Sequence, residues 1–198
     1  MELKTFIFIG RSGCGKGTQA KLLIEELGKR EPGVNVQYLE AGEKFRELIA
    51  RPNFTGKLAK TITDEGGLQP AFLAIHNWAH LFIENINGNE HLVLDGSPRK
   101  LNEAKILHEA FKFYGRSNVS IIHVNVSNKW SLDRLLARGR GDDGKAEIEK
   151  RLSWFDTDVL PAIDYFKTQP DVEVFDINGE QTIEEVHREI MECLSPNF

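Results

Sequence analysis

Five short apolar runs punctuate the chain: TFIFIG (5–10), VNVQYLE (34–40), HLVLDG (91–96), VSIIHVNV (119–126) and VEVFDI (172–177). Continuous runs of Val, Ile, Leu and Phe suit strands buried on both faces. The stretches between them read as helices over 16–30, 70–87, 102–114, 128–138, 145–168 and 181–194. Strand alternating with helix predicts an α/β fold, a five-stranded parallel sheet flanked by helices on both faces. The alternation fails once. From Gly42 to Gln69 the pattern offers two short helical pieces, broken by RPNFTG and ended by EGGLQP, which predict a small helical insertion between the second and third strands.

The first strand runs into GRSGCGKGT (10–18), which opens the first helix. The spacing Gly10-x-x-x-x-Gly15-Lys16 is that of a P-loop, in which backbone N–H groups wrap a polyphosphate and the lysine reaches its outer phosphates. Glycines are needed there because a Cβ would block close backbone approach or the positive φ of the turn. Gly17 occupies the place where many P-loops put a Ser or Thr, and the hydroxyl comes one residue later, at Thr18.

At 198 residues, with 40% hydrophobic and 28% charged, the composition is that of one soluble globular domain. A net charge of −5 argues against nucleic acid as a partner. No apolar run approaches the roughly 20 residues of a membrane helix. The start, MELKTFIFIG, reads as no signal peptide. Cys14 and Cys193 lie at opposite ends with no metal-ligand spacing, which suits a reduced, cytoplasmic setting. His76 and His80 stand four apart in HNWAH, but Asn77 replaces the general base of a zinc protease, and a partly buried helix face is expected. SNKW (127–130) falls short of a guanine-reading motif because Ser131 stands in place of the aspartate.

Further segments extend the P-loop signal. LEAGEKFRELI (39–49), LVLDGSPR (92–99), DRLLARGRGDD (133–143), EKRL (149–152) and DINGEQTIEEV (176–186), taken with GKGTQA, resemble the adenylate kinase and UMP/CMP kinase family over nearly the whole chain. The resemblance implies a single P-loop kinase domain. Its core spans 1–39, 70–136 and 144–198, its insertion for the acceptor monophosphate 40–69, and its minimal lid 137–143. It implies ATP contacts from Gly13, Cys14, Gly15, Lys16, Gly17, Thr18, Arg134, Arg138, Gly179 and Gln181. The acceptor is expected against Ala41, Gly42, Arg46, Gly67, Leu68, Gln69, Gly96, Ser97, Pro98, Arg99, Glu103, Arg140 and Arg151. Lys16, Arg99, Arg140 and Arg151 are the implied catalytic residues. Thr18, Glu43 and Asp95 are expected to hold Mg²⁺, which accompanies ATP, through water. The brief lid lacks the four-cysteine set of some longer ones, so no structural zinc is expected.

Phosphoryl transfer needs in-line positioning and cancellation of charge on phosphate oxygens, which planar, always-charged guanidiniums do well. Arg134 and Arg138 stand four apart and share a helix face. The reading is a Mg²⁺-dependent nucleoside monophosphate kinase with ATP as donor and AMP as first-choice acceptor, a monomer with an oligomer as alternative. The other readings are a UMP/CMP kinase, a nucleotide-binding switch protein, and a non-catalytic relative. Three positions depart from the adenylate kinase pattern. Ala41 replaces a threonine, Ser97 an aromatic, and Glu103 the glutamine that reads adenine. An ionised glutamate accepts only, so weaker discrimination between AMP and CMP is expected.

Overall fold

The computed structural model describes residues 3–139 and 144–195. Strands β1 (Thr5–Ile9), β2 (Asn35–Glu40), β3 (Glu90–Asp95), β4 (Val119–Asn125) and β5 (Val172–Asn178) form one sheet in the order β2-β3-β1-β4-β5. Every neighbouring pair is parallel, and Phe8 of β1 lies level with Asp95 on one side and Ile122 on the other. Side chains alternate along each strand, so the two faces feed two cores. Phe6, Phe8, Val93, Ile122 and Val124 pack under helices α1 (Lys16–Arg30) and α9 (Ile183–Leu194). Ile7, Ile9, Leu92, Leu94, Val119 and Ile121 pack under α4 (Ala71–Asn85), α5 (Leu101–Phe113) and α8 (Leu160–Lys167).

Two short helices, α2 (Ala41–Ile49) and α3 (Phe54–Asp64), fill most of the stretch between β2 and α4. Phe45, Leu48 and Ala59 close a small cluster of their own with Leu73 and Ala74 of α4. Beyond β4, α6 (Asn128–Arg138) and α7 (Lys145–Trp154) pair through Leu135, Ile148 and Leu152. Ser127 starts α6 by accepting from the Trp130 N–H at 3.2 Å, a side-chain cap on an otherwise unpaired donor.

One helix is less regular than expected. The stretch 145–168 is helical through residue 167, but α7 gives way to a π-turn over Phe155–Val159 before α8 begins. Pro161, at the start of α8, has no N–H to return to Thr157, and the Leu160 N–H reaches back five residues to the Phe155 carbonyl. His76 and His80 also differ from expectation. Their rings stack at 5.8 Å, but both are exposed, since α4 buries the opposite face through Leu73, Ala74, Trp78 and Phe82. Among the described residues, no helix is long and apolar enough to cross a membrane.

Candidate active site

A cavity of about 510 Å³ opens beyond the carboxyl ends of β1, β2 and β3, where an open parallel sheet places its ligands. Its floor is the loop between β1 and α1. Gly13 and Gly15 both hold positive φ, +83° and +95°. A Cβ at Gly13 would stand 3.0 Å from the Leu135 side chain and 3.1 Å from the Ser131 carbonyl, so the loop lies tight on α6. Gly15 caps α1 with no side-chain bond, which leaves the helix N-terminus to an anion. The Lys16 ammonium points back over the loop and donates to the Arg11 carbonyl at 3.4 Å.

The displaced hydroxyl has a steric reason. A Cβ at Gly17 would sit 2.9 Å from Oδ2 of Asp95, the last residue of β3. The carboxylate thus occupies the space a side chain at position 17 would need. Asp95 is buried, and its Oδ1 makes no hydrogen bond. Burial raises its pKa and Glu40 adds to this, while Lys16, Arg99 and the Tyr38 hydroxyl, 3.5 Å from Oδ2, pull the other way.

Arg46 of α2 pairs with Glu40 at 2.8 Å on the cavity wall. Arg99 follows the turn after β3, where Gly96 holds φ +76°. Its guanidinium donates to the Gly96 carbonyl at 2.8 Å and lies between the rings of Phe45 and Trp154, 6.0 and 5.8 Å away. Burial lowers its pKa, and neighbouring Arg151 and Arg46 add to this against Glu103 and Asp95.

The cavity gathers Gly13, Gly15, Lys16, Gly17, Thr18, Gly42, Arg46, Gly67, Gln69, Asp95, Gly96, Arg99, Arg134, Arg138 and Arg151. Pro98 lines a smaller pocket adjoining it, which shares Lys16, Arg99 and Arg151. Arg134 carries its guanidinium 4.8 Å above the Trp130 ring. Arg140, Gly141, Asp142 and Asp143, the last four residues of the expected lid, lie outside the described residues.

Other expected residues stand elsewhere. Glu103 is 1% exposed and lines no part of the cavity; its carboxylate accepts from the Arg99 N–H at 2.8 Å at the start of α5. Glu103 therefore holds backbone and does not face solvent. Glu43 is exposed and does not line the cavity, although its charge, like those of Asp95 and Glu40, acts on the Tyr38 hydroxyl beside Asp95. Gly179 is buried against β4, where a Cβ would meet Val126 at 2.6 Å and Val124 at 2.7 Å. Gln181 spends its amide on the Asn178 carbonyl and Glu189. Cys14, Ala41, Leu68 and Ser97 stand behind the lining; Cys14 is buried, and burial raises its thiol pKa.

Sequence reasoning missed Ser12, Lys21, Glu40, Phe45, Ile49, Thr63 and Trp154, all of which line the cavity. Glu40 was the most accessible to it, since it ends a strand on the side where parallel sheets bind ligands.

Comparison with known proteins agrees with this geometry. The family model described as adenylate kinase matches residues 8–171. The chain is 31% identical over 188 residues to adenylate kinase 1 of Nostoc sp., covering 95% of this chain and 97% of that one. It is 31% identical over 197 residues to adenylate kinase 1 of Synechocystis sp., covering 98% of each. With the adenylate kinase of Corynebacterium urealyticum it shares 30% identity over 180 residues, 91% of this chain and 93% of the other. Model match, coverage and the cation-lined P-loop cavity agree: the chain belongs to the adenylate kinase family.

Proposed function

We propose that the protein transfers the γ-phosphoryl group of ATP to AMP, giving two ADP. One observation carries the reading: Lys16, Arg46, Arg99, Arg134, Arg138 and Arg151, from four helices and one loop, converge on one cavity with the P-loop as its floor. ATP phosphates lie in the loop's backbone cradle, with Lys16 at the oxygens whose charge redistributes. Arg46 and Arg99 hold the acceptor monophosphate, while Arg134, Arg138 and Arg151 close on the transferring group from α6 and α7. The protein does little covalent work; it aligns two phosphates and cancels their charge.

Magnesium fits beside Asp95. A buried carboxylate with one oxygen unengaged, lying against Gly17, whose neighbour Thr18 is exposed, suits an ion held through water. When bound, the ion supplies charge neutralisation between donor phosphates.

The base of the acceptor lies toward Phe45, Ile49, Thr63, Gly67 and Gln69. The Gln69 amide is engaged with the Ala59 carbonyl at 2.7 Å and the Thr63 hydroxyl at 2.9 Å. Because the side chain of residue 103 is withheld from this wall, CMP is a second acceptor. Two free cysteines suit a reduced cytoplasm, where the enzyme acts as a monomer.

The test is coupled measurement of ADP formation with AMP, CMP and UMP, using Lys16→Met as the control. AMP should lead with a kcat/KM advantage over CMP below about 10⁴, a ratio that demands matched hydrogen bonds. Lys16→Met should lower kcat by about two to three orders of magnitude with a smaller change in KM. No diphosphate from any monophosphate, or a Lys16→Met variant of near-normal kcat, would overturn the reading.

A further inference from the structure

The phosphate-binding reading gives a role to Gly10, Gly13, Gly15 and Lys16 of the loop, and none to Arg11. Yet its side chain is only 14% exposed and has three polar partners on two other segments. Nε donates to Asn128 Oδ1 at 2.8 Å, Nη1 to the Val126 carbonyl at 3.2 Å, and Nη2 to Asp156 Oδ1 at 2.7 Å. The guanidinium carbon lies 4.2 Å from the centre of the Phe155 ring. Phe155 is itself fixed, since it is buried and stacks on the His123 ring at 5.8 Å and 19°.

Those contacts fall where α7 turns into the π-segment, directly after Arg151 and Trp154. The opposite side of the same turn is tied to the acceptor wall, where the Trp154 indole N–H donates to the Gly66 carbonyl at 3.1 Å. Arg11, Lys16, Arg99, Arg151, Trp154 and Phe155 together line the small pocket that adjoins the main cavity. The carbonyl that receives the Lys16 ammonium belongs to Arg11 as well.

We propose that Arg11 is a positioning residue for phosphoryl transfer: bound to Asp156 and laid on Phe155, it holds the end of α7 against the P-loop and so sets Arg151 relative to Lys16. A planar fork suits this task, because it bonds in three directions while its face rests on an aromatic ring. Arg11 touches no substrate in this role. It acts through α7, and misplacement of a charged group by about 1 Å can cost on the order of a hundredfold in rate.

The proposal rests on the kinase reading above. Its test measures kcat and both KM values for the wild type, Arg11→Ala, Arg11→Lys and Asp156→Asn, well below each variant's Tm. Arg11→Ala should lower kcat by about tenfold or more, with both KM values moved by less than about threefold. Asp156→Asn keeps an acceptor for Nη2 and the bonds to Asn128 and Val126 but removes the carboxylate charge that holds the guanidinium, and should lower kcat by about threefold or more. Arg11→Lys should not restore wild-type kcat, because one ammonium cannot reach three partners and stack. A merely stabilising role predicts a lower Tm with kcat unchanged. Arg11→Ala or Asp156→Asn folded with kcat inside about threefold of wild type overturns the proposal; if Arg11→Ala does not fold, Asp156→Asn decides alone. A wild type inactive on every monophosphate breaks the kinase reading and this proposal with it, whereas an active wild type with indifferent variants breaks this proposal only.

Discussion

The donor loop and the acceptor wall meet in one cavity, yet they are built on different principles. In the proposed reaction the donor loop recognises phosphate with backbone, so its requirements fall on residues that must lack side chains: Gly13 and Gly15 at positive φ, and Gly17 under the Asp95 carboxylate. The acceptor wall recognises with side chains, and several of those already have structural duties. Arg46 is paired with Glu40, the Gln69 amide with Ala59 and Thr63, and Glu103 with the Arg99 N–H. A backbone site is fixed by spacing, whereas a side-chain site depends on which groups remain free once the fold has used the rest. Residue identity therefore predicts function more directly on the donor side.

The largest effect is expected from breaking the donor side at its least obvious glycine. Gly17→Ala adds only a methyl group, but it would stand 2.9 Å from Asp95 Oδ2, inside van der Waals contact. Asp95 ends β3 with its carboxylate on the cavity wall, against Gly17. The carboxylate must shift, and with it any ion held through it. We expect kcat to fall by about ten- to a hundredfold and the Mg²⁺ concentration needed for half-maximal rate to rise, with the fold intact. Steady-state rates across a magnesium titration check this. A variant with wild-type kcat and magnesium dependence would show that the cradle has slack and that the contrast is overstated.

Next in size is the acceptor-side counterpart, Glu103→Ala. If Glu103 holds the start of α5, its loss removes a cap and should cost about 1 kcal/mol of stability, on the order of 2–4 °C in Tm for a chain of this length. The ratio of kcat/KM for AMP over CMP should move by less than about threefold, since no base contact is lost. Thermal unfolding and the two-acceptor assay separate the outcomes. A shift of tenfold or more in that ratio would return Glu103 to the base site and erase the distinction drawn here.

The same contrast decides what the sequence could reveal. The strands were legible to within a residue or two because each is a continuous apolar run, and the P-loop because its chemistry is glycine spacing. The break after Trp154 was written in Pro161, but whether a proline kinks, ends or π-bulges a helix depends on what packs around it. Glu103 occupies the third position of α5, where glutamate often turns back onto backbone N–H groups, so its structural duty was also within reach. Gly179 reads as a loop glycine, yet it is needed because Val124 and Val126 lie against it, about fifty positions earlier in the chain. Arg11, Trp154 and Glu40 were least visible. Their partners lie far away in sequence or across a turn, and no local pattern records that Arg11 meets Asp156 or that Trp154 meets Gly66.

The smallest effect sharpens the assignment of Glu103 by pH. Burial raises the pKa of its carboxyl, against the opposing pull of the Arg99 and Lys100 backbone and side-chain charges. A carboxyl whose pKa is higher in the folded chain binds its proton more tightly there than in the unfolded chain. Its contribution to stability is thus full below the unfolded value, near 4.5, and is lost as pH rises through the raised folded value. Glu103→Gln keeps the shape, accepts from the Arg99 N–H through its carbonyl, and carries no charge to desolvate. The Tm of the variant minus that of the wild type should therefore grow from pH 4.5 to neutrality. A carboxylate free in the cavity among arginines would give the opposite sign, because those cations would favour its ionised form and Gln would lose ground as pH rose. Unfolding curves of the two proteins across that range distinguish a buried backbone cap from a base-reading group by the direction of a single slope.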